Sequence, residues 1–139
     1  MKTRRRPRRR PLEEGDYRRL ARFRHALRRF LRFSENAARR AGISPAQYQL
    51  LLFIRSAPAP GAGISHLAER LQVRHQSAVG LIDRCERAGL VRREQDPDDR
   101  RRAFVRMTPR GTRVLARLVL EHYRGIADLR RAVPRPLSF

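Results

Sequence analysis

A mainly α fold with a small β-hairpin wing is what this sequence predicts, on three observations. Apolar residues recur at three- and four-residue steps through most of the chain, the period of an amphipathic helix. Before Ala88, two short helical patterns are parted only by a turn at Gln72-Val73. Directly after them, Leu90 to Gln95 and Ala103 to Met107 alternate weakly and carry Val and Phe. They flank a polar tip, Asp96-Pro97-Asp98-Asp99-Arg100-Arg101-Arg102, with Asp-Pro and Asp-Asp turn chemistry. A helix pair followed by such a hairpin is a winged helix-turn-helix. Its second helix can enter a major groove and its hairpin can reach the neighbouring minor groove or backbone.

The elements follow in order. Residues 1–11, MKTRRRPRRRP, form an arm with seven basic residues in the first ten; like-charge repulsion and two prolines predict disorder in the free protein. Residues 12–42 predict a long helix, with Tyr17, Leu20, Phe23, Leu27, Phe30, Leu31, Ala38 and Ala41 at helical spacing and Gly42 as its stop. Ser44-Pro45 is an N-cap with proline at the first helical position, opening a second helix that carries Tyr48, Leu51, Leu52 and Ile54. The stretch Ala57 to Gly63, APAPGAG, is a loop by composition. Ser65 is expected to cap a third helix holding Leu67, Ala68 and Leu71. A fourth runs from about His75 to Ala88, with Ala78, Val79, Ile82 and Cys85 inward and Gly89 ending it. Thr108-Pro109 repeats the cap-plus-proline signal and opens a fifth helix, with Val114, Leu115, Leu118, His122, Ile126, Leu129 and Val133 on one stripe before Pro134 and Pro136. The division is therefore a lobe at 43–107 between terminal helical segments at 12–42 and 108–139. One chain with so small a lobe cannot cover both long apolar stripes, so mutual burial across a two-fold axis makes them dimerisation helices.

Composition narrows the partners. The formal net charge is +21, from 34 Lys and Arg against 13 Asp and Glu, and nearly all the basic residues are Arg. That excess suits a polyanion, and arginine suits bidentate phosphate and guanine contacts. Coding bias toward arginine explains dispersed copies equally well. No apolar run approaches the roughly 18 residues of a membrane span, and the basic N-terminus lacks a signal peptide's apolar stretch. A single cysteine, Cys85, excludes an internal disulfide and fits a reducing cytoplasm, with association to the nucleoid if DNA is the partner. The four histidines show no ligand spacing, so no metal and no cofactor are expected. No nucleophile–base pair, carboxylate dyad or phosphate-cradling glycine loop appears, so the chain does not read as an enzyme.

The exposed N-terminal end of the fourth helix carries Arg74, His75, Gln76, Ser77 and Gly80. Gln76 can pair bidentately with adenine, Ser77 can bond a base or phosphate, and Arg74 and His75 can reach guanine or phosphate. Gly80 lets the helix lie closer to a groove wall. At the wing tip, Asp99 and Arg101 can pair across the turn and Asp83 could also hold Arg101. Arg101 is then structural, and Arg100 and Arg102 are left for the minor groove or phosphates.

SPAQYQLLLFI, ISHLAERLQVRHQSAVGLIDRCERAGLVRR and DPDDRRRAFVRMTPRG resemble the MarR family of bacterial transcription regulators, over about half of the chain. The pattern is Asp99-x-Arg101, then Val105, Met107-Thr108 and Gly111. The resemblance implies a winged helix-turn-helix homodimer with interlocking N- and C-terminal helices. It implies a transcription regulator, a repressor, that reads a palindromic double-stranded operator and in many members releases DNA on binding a small ligand. The departures are a shortened segment after Thr108, a longer loop at 57–63 and the added arginine arm, which could follow DNA and neutralise phosphates.

Cys85 at a core position reads as a small apolar residue rather than a redox sensor. His122, within the apolar stripe of the last helix, could line a ligand cleft with Tyr123, His25 or Tyr48, or sit at an interface making one hydrogen bond. Two rival functions share this fold: an architectural, nucleoid-type DNA binder with no effector, and a protein-interaction adaptor that has lost its DNA contacts.

Overall fold

The computed structural model describes residues 10–133. The arm expected at 1–11 lies almost wholly outside the described residues, as do Pro134 and Pro136. The chain orders as α1 Glu14–Arg40, α2 Pro45–Ser56, β1 Ala62–Gly63, α3 Ile64–Leu71, α4 His75–Arg87, β2 Val91–Gln95, β3 Ala103–Met107 and α5 Pro109–Ala132.

Local chemistry sets most boundaries. Glu13 and Asp16 form a reciprocal capping box at the start of α1, satisfying backbone N–H groups that have no partner within the helix. Gly42 follows the end of α1 at φ +81°, a conformation only glycine adopts cheaply. Ser44 opens α2 by accepting the Gln47 N–H at 3.1 Å, while the Gln47 side chain accepts the Ser44 N–H at 2.9 Å. The Thr108 hydroxyl accepts the Gly111 N–H at 3.1 Å and donates to the Gly89 carbonyl at 2.6 Å, tying the start of α5 to the end of α4.

Three expectations need correction. The stretch 57–63 is not loop throughout: Ala62 and Gly63 pair antiparallel with Val105 and Phe104, giving a three-stranded sheet in the order β1-β3-β2. Alanine and glycine carry no strand signal; Ala62 is drawn in because its methyl is buried opposite Val105. Gly63, not Ser65, is the N-cap of α3, and no side chain caps that helix. On α4 the buried set is Ala78, Leu81, Ile82 and Cys85, so Leu81 takes the place expected for Val79.

The core is shared among Leu50 and Leu51 of α2, Leu67 of α3, Ile82 of α4, Leu90 before the wing, Val91 and Val105 in it, and Leu118 of α5. α1 and α5 run antiparallel, with Phe33 against Gly125 and Arg40 beside Glu121. At the lobe end α1 buries Ala37 and Ala38, and α5 buries Leu115, Leu118 and His122. Away from the lobe Leu12, Tyr17, Leu20 and Leu31 of the N-terminal segment are exposed, with Leu120, Tyr123, Ile126 and Val133 of the C-terminal one.

Candidate nucleic-acid interface

Helix α3 stops at Gln72, which takes a left-handed conformation (φ 57°) and donates its side-chain amide to the Glu69 carbonyl at 3.0 Å. Two extended residues later α4 begins, so the two helices are held at a fixed angle by a turn with its own hydrogen bonds. Arg74 is the N-cap of α4, and Arg74, His75, Gln76 and Ser77 are all exposed at its N-terminal end. Behind them Ala78, Leu81, Ile82 and Cys85 fix the helix on the core. Gln76, Gly80 and Arg84 follow at four-residue steps on one face, and the Arg84 guanidinium folds back to 3.6 Å from where a Gly80 Cβ would stand. Arg84 and Arg87, both exposed, extend the polar face beyond the residues singled out in the sequence.

The wing is seated by a residue the sequence reading missed. Arg93 of β2 donates to Asp83 Oδ1 at 2.6 Å and to Glu86 Oε1 at 3.0 Å, and its backbone N–H reaches Glu86 Oε2 at 3.0 Å. These carboxylates hold the Arg93 guanidinium even more firmly charged than usual against the opposing effect of its partial burial. Asp83 therefore holds Arg93, not Arg101. Arg93 lies two residues after the buried Val91 on the strand base, within reach of the last turns of α4, whereas Arg101 stands at the tip. A signal was available: Asp83 and Glu86 are acids three apart on a helix of a strongly basic chain, so each wants a cation.

The tip holds its shape through its own backbone. Asp96 accepts the Asp98 N–H at 2.9 Å and Asp99 accepts the Arg101 N–H at 3.0 Å, two side-chain turns in succession. Gln95 donates to the Arg100 carbonyl at 3.0 Å. The expected Asp99–Arg101 pairing thus runs through the Arg101 main chain, not its guanidinium. Arg100, Arg101 and Arg102 are all exposed, so the structure does not set Arg101 apart as the structural one.

The expected ligand cleft does not assemble. Tyr48 and His122 stack with ring centroids 4.4 Å apart, but both are buried. The His122 Nδ1–H donates to the Leu118 carbonyl at 2.6 Å, which leaves Nε2 to accept from the Ser34 hydroxyl at 2.6 Å. With Phe30 and Phe33 edge-on to its ring, His122 is a satisfied core group making two hydrogen bonds within the chain. His25 and Tyr123 are exposed and do not join it. Between α1 and α5 an open groove of about 800 Å³ is lined by Phe30, Phe33, Arg124, Gly125 and Leu129, none of them in the expected set.

Among the described residues no cluster of three or more candidate metal ligands occurs, and no helix is long and apolar enough to cross a membrane.

Residues 41–102, from the end of α1 through the wing tip, match the model of the MarR family. Over that segment, just under half of the chain, the sequence is similar to the MarR family. The putative transcriptional regulatory protein for the hcr operon of Thauera aromatica is 36% identical over 89 residues, which are 64% of this chain and 52% of that protein. The transcriptional regulator HosA of Escherichia coli O111:H- is 39% identical over 70 residues, half of each chain. The chain thus spans about half the length of these relatives. Among solved structures, AbsC, a MarR family regulator of Streptomyces coelicolor, superposes with a TM-score of 0.72 at 21% identity, covering 92% of this chain and 86% of AbsC. Sco3205 from the same organism, solved in complex with DNA, gives a TM-score of 0.67 at 25% identity over 90% of this chain and 77% of its own. These relatives are described as transcription regulators. The winged helix-turn-helix fold expected from the sequence is the fold found.

Proposed function

We propose that this chain is a regulator of the MarR type, a homodimeric, sequence-specific repressor of transcription that reads a palindromic operator in double-stranded DNA and works at the nucleoid in the cytoplasm. One observation carries the reading: Arg74, His75, Gln76 and Ser77 stand exposed at the start of α4, while Arg93 fastens the arginine-tipped wing to that same helix. In this reading Gln76 contacts a base edge, Arg74, His75 and Ser77 contact bases or phosphates, and Arg100, Arg101 and Arg102 lie along the minor groove or backbone. Sco3205, which shares the fold, was solved on DNA, and the relatives of higher identity are described as transcriptional regulators. Release by a small ligand is not part of the reading, because the four side chains expected to line a cleft do not converge.

The test is genomic footprinting of the purified protein, followed by competition against random duplex on the site it protects. Gln76→Ala should weaken cognate binding by about 1–3 kcal/mol and spare random DNA. An equal loss on both would remove Gln76 from base reading. No retention of the cognate site against random competitor would favour an architectural binder, and no binding to any duplex at low salt would favour an adaptor.

A further inference from the structure

α1 has more surface than the proposed function uses. At 3.6 residues per turn it divides into three faces. Ala26, Phe30, Phe33 and Ala37 face α5 or the core. Tyr17, Leu20 and Leu31 form an exposed apolar face. The third face carries Arg18, Arg22, Arg28, Arg32 and Arg39, with Arg29 at its border where it also lines the groove toward α5, all six exposed. Among the described residues none of these six has a carboxylate within 4.0 Å, whereas Arg19 is taken by Asp16 and Arg40 by Glu121. The one acid between Arg18 and Arg40, Glu35, stands three residues after Arg32 and four before Arg39, toward the lobe end, and is ion-paired to neither.

A helix face needed only for solubility intersperses both signs, because like charges three or four residues apart repel and weaken the helix. Arg18 with Arg22, Arg28 with Arg32 and Arg29 with Arg32 each stand at such spacing. A cationic row about 30 Å long, with Glu35 the one acid beside it, is relieved by a row of anions of similar length. Duplex DNA supplies one at a charge per about 1.7 Å of axis.

The row is also separate from the interface above. The main packing partners of α1 are α5 and α2, not α4 or the wing. It joins the lobe at Ala37 and Ala38, and its other end at Glu14 stands about 35 Å away along the helix axis. In sequence, Lys2, Arg4, Arg5, Arg6, Arg8 and Arg9 continue the charge beyond that end.

We propose that the arginine face of α1 is a second DNA-binding surface, one that grips the phosphate backbone of a duplex segment other than the one against α4 and the wing. A protein loaded on one duplex would then hold a second. The contact is to phosphates, so it is independent of sequence and of Gln76.

The test uses the full chain. Wild type is saturated with a bead-bound duplex, and capture of a labelled short random-sequence duplex is measured. The comparison is the quadruple variant Arg18→Gln, Arg22→Gln, Arg29→Gln and Arg32→Gln, in which glutamine keeps the helix propensity and circular dichroism checks the fold. The expected result is that wild type captures the second duplex, the variant's capture falls about tenfold, and binding to the first duplex is unchanged, since only the outer phosphate contacts are lost. Gln76→Ala should still bridge, which separates this surface from the base-reading role. Three results would overturn the proposal: no capture by wild type, undiminished capture by the variant, or a parallel loss on the first duplex. Displacement of the second duplex by anionic phospholipid vesicles at lower phosphate concentration than by duplex competitor would do so as well.

Discussion

A glycine inside a helix costs about 0.5–1 kcal/mol relative to alanine, so Gly80 in the middle of α4 asks for a reason. Packing within the chain supplies none. A Cβ there would meet only the Arg84 guanidinium at 3.6 Å, an ordinary contact. Gly111 is the opposite case: its Cβ would stand 2.0 Å from the Leu90 carbonyl oxygen, so the close approach of α5 to the strand base excludes any side chain. If Gly80 serves the approach of DNA, the two properties should separate on substitution. Gly80→Ala is expected to stabilise the fold by about 0.5–1 kcal/mol in urea titration while weakening duplex binding. Unchanged affinity would take Gly80 off the contact face. Cys85 gives a second residue-level prediction. It is fully buried on α4, and burial pushes its thiol from near 9 up to about 11. The nucleophile is the thiolate, so native Cys85 should resist alkylation at neutral pH and react once urea unfolds the chain. Because the fold tolerates only the neutral thiol, its contribution to stability is complete below pH 9 and falls away as the pH rises toward 11. Rapid alkylation of the native protein at neutral pH would show the site to be open.

At the scale of elements, the wing and α4 move as one body only if Arg93 keeps both carboxylates. Exposed ion pairs contribute little, yet here one partly buried guanidinium bridges two acids on one helix while the same residue's N–H bonds one of them. Arg93→Ala should cost about 1 kcal/mol of stability, near the upper end for such pairs. The larger effect should be faster amide exchange at Asp96 and Arg102, whose hydrogen bonds close the tip. Arg93→Lys keeps a charge but not the fork and should fall between. Exchange at the wild-type rate in both variants would mean that strand pairing alone positions the wing. What was legible in the sequence follows the same division. Elements marked by their own residues were readable: Ser44-Pro45 and Thr108-Pro109 cap where expected, and the two hairpin strands pair in register from Val91–Met107 to Gln95–Ala103. Ala62 and Gly63 became a strand because of what lies opposite them, which no local pattern encodes. At the candidate interface the polar cluster on α4 was readable from helical spacing. The partner of Asp83 was not, because it depends on which strand residue the fold carries to the end of α4. The supposed cleft failed for the same reason: His122 and Tyr48 meet, but His25 and Tyr123 project from other sides of their helices.

For the whole molecule, the α1–α5 pair leaves an apolar surface that its own lobe does not cover. Leu20 and Leu31 are 52% and 47% exposed on one face of α1, and Tyr123 and Ile126 are 69% and 42% exposed on α5. A second copy related by a two-fold axis would cover such stripes with the same stripes, and it would set two α4 helices to read two half-sites. Half-exposed leucines contribute about 1 kcal/mol each when the remaining surface is buried. Leu20→Gln with Leu31→Gln removes two such groups from each protomer, hence about 4 kcal/mol from a dimer, or roughly a thousandfold in its dissociation constant. The single chain should lose little, since neither residue belongs to the buried core of the lobe. Sedimentation equilibrium at micromolar concentration is expected to give dimers for the wild type and single chains for the double variant. Affinity for an inverted-repeat duplex should fall in the variant to that for one half-site. Wild type sedimenting as single chains, with and without an inverted-repeat duplex, would show that something other than a second copy covers the stripes. Dimeric variant protein would place the interface elsewhere on the molecule.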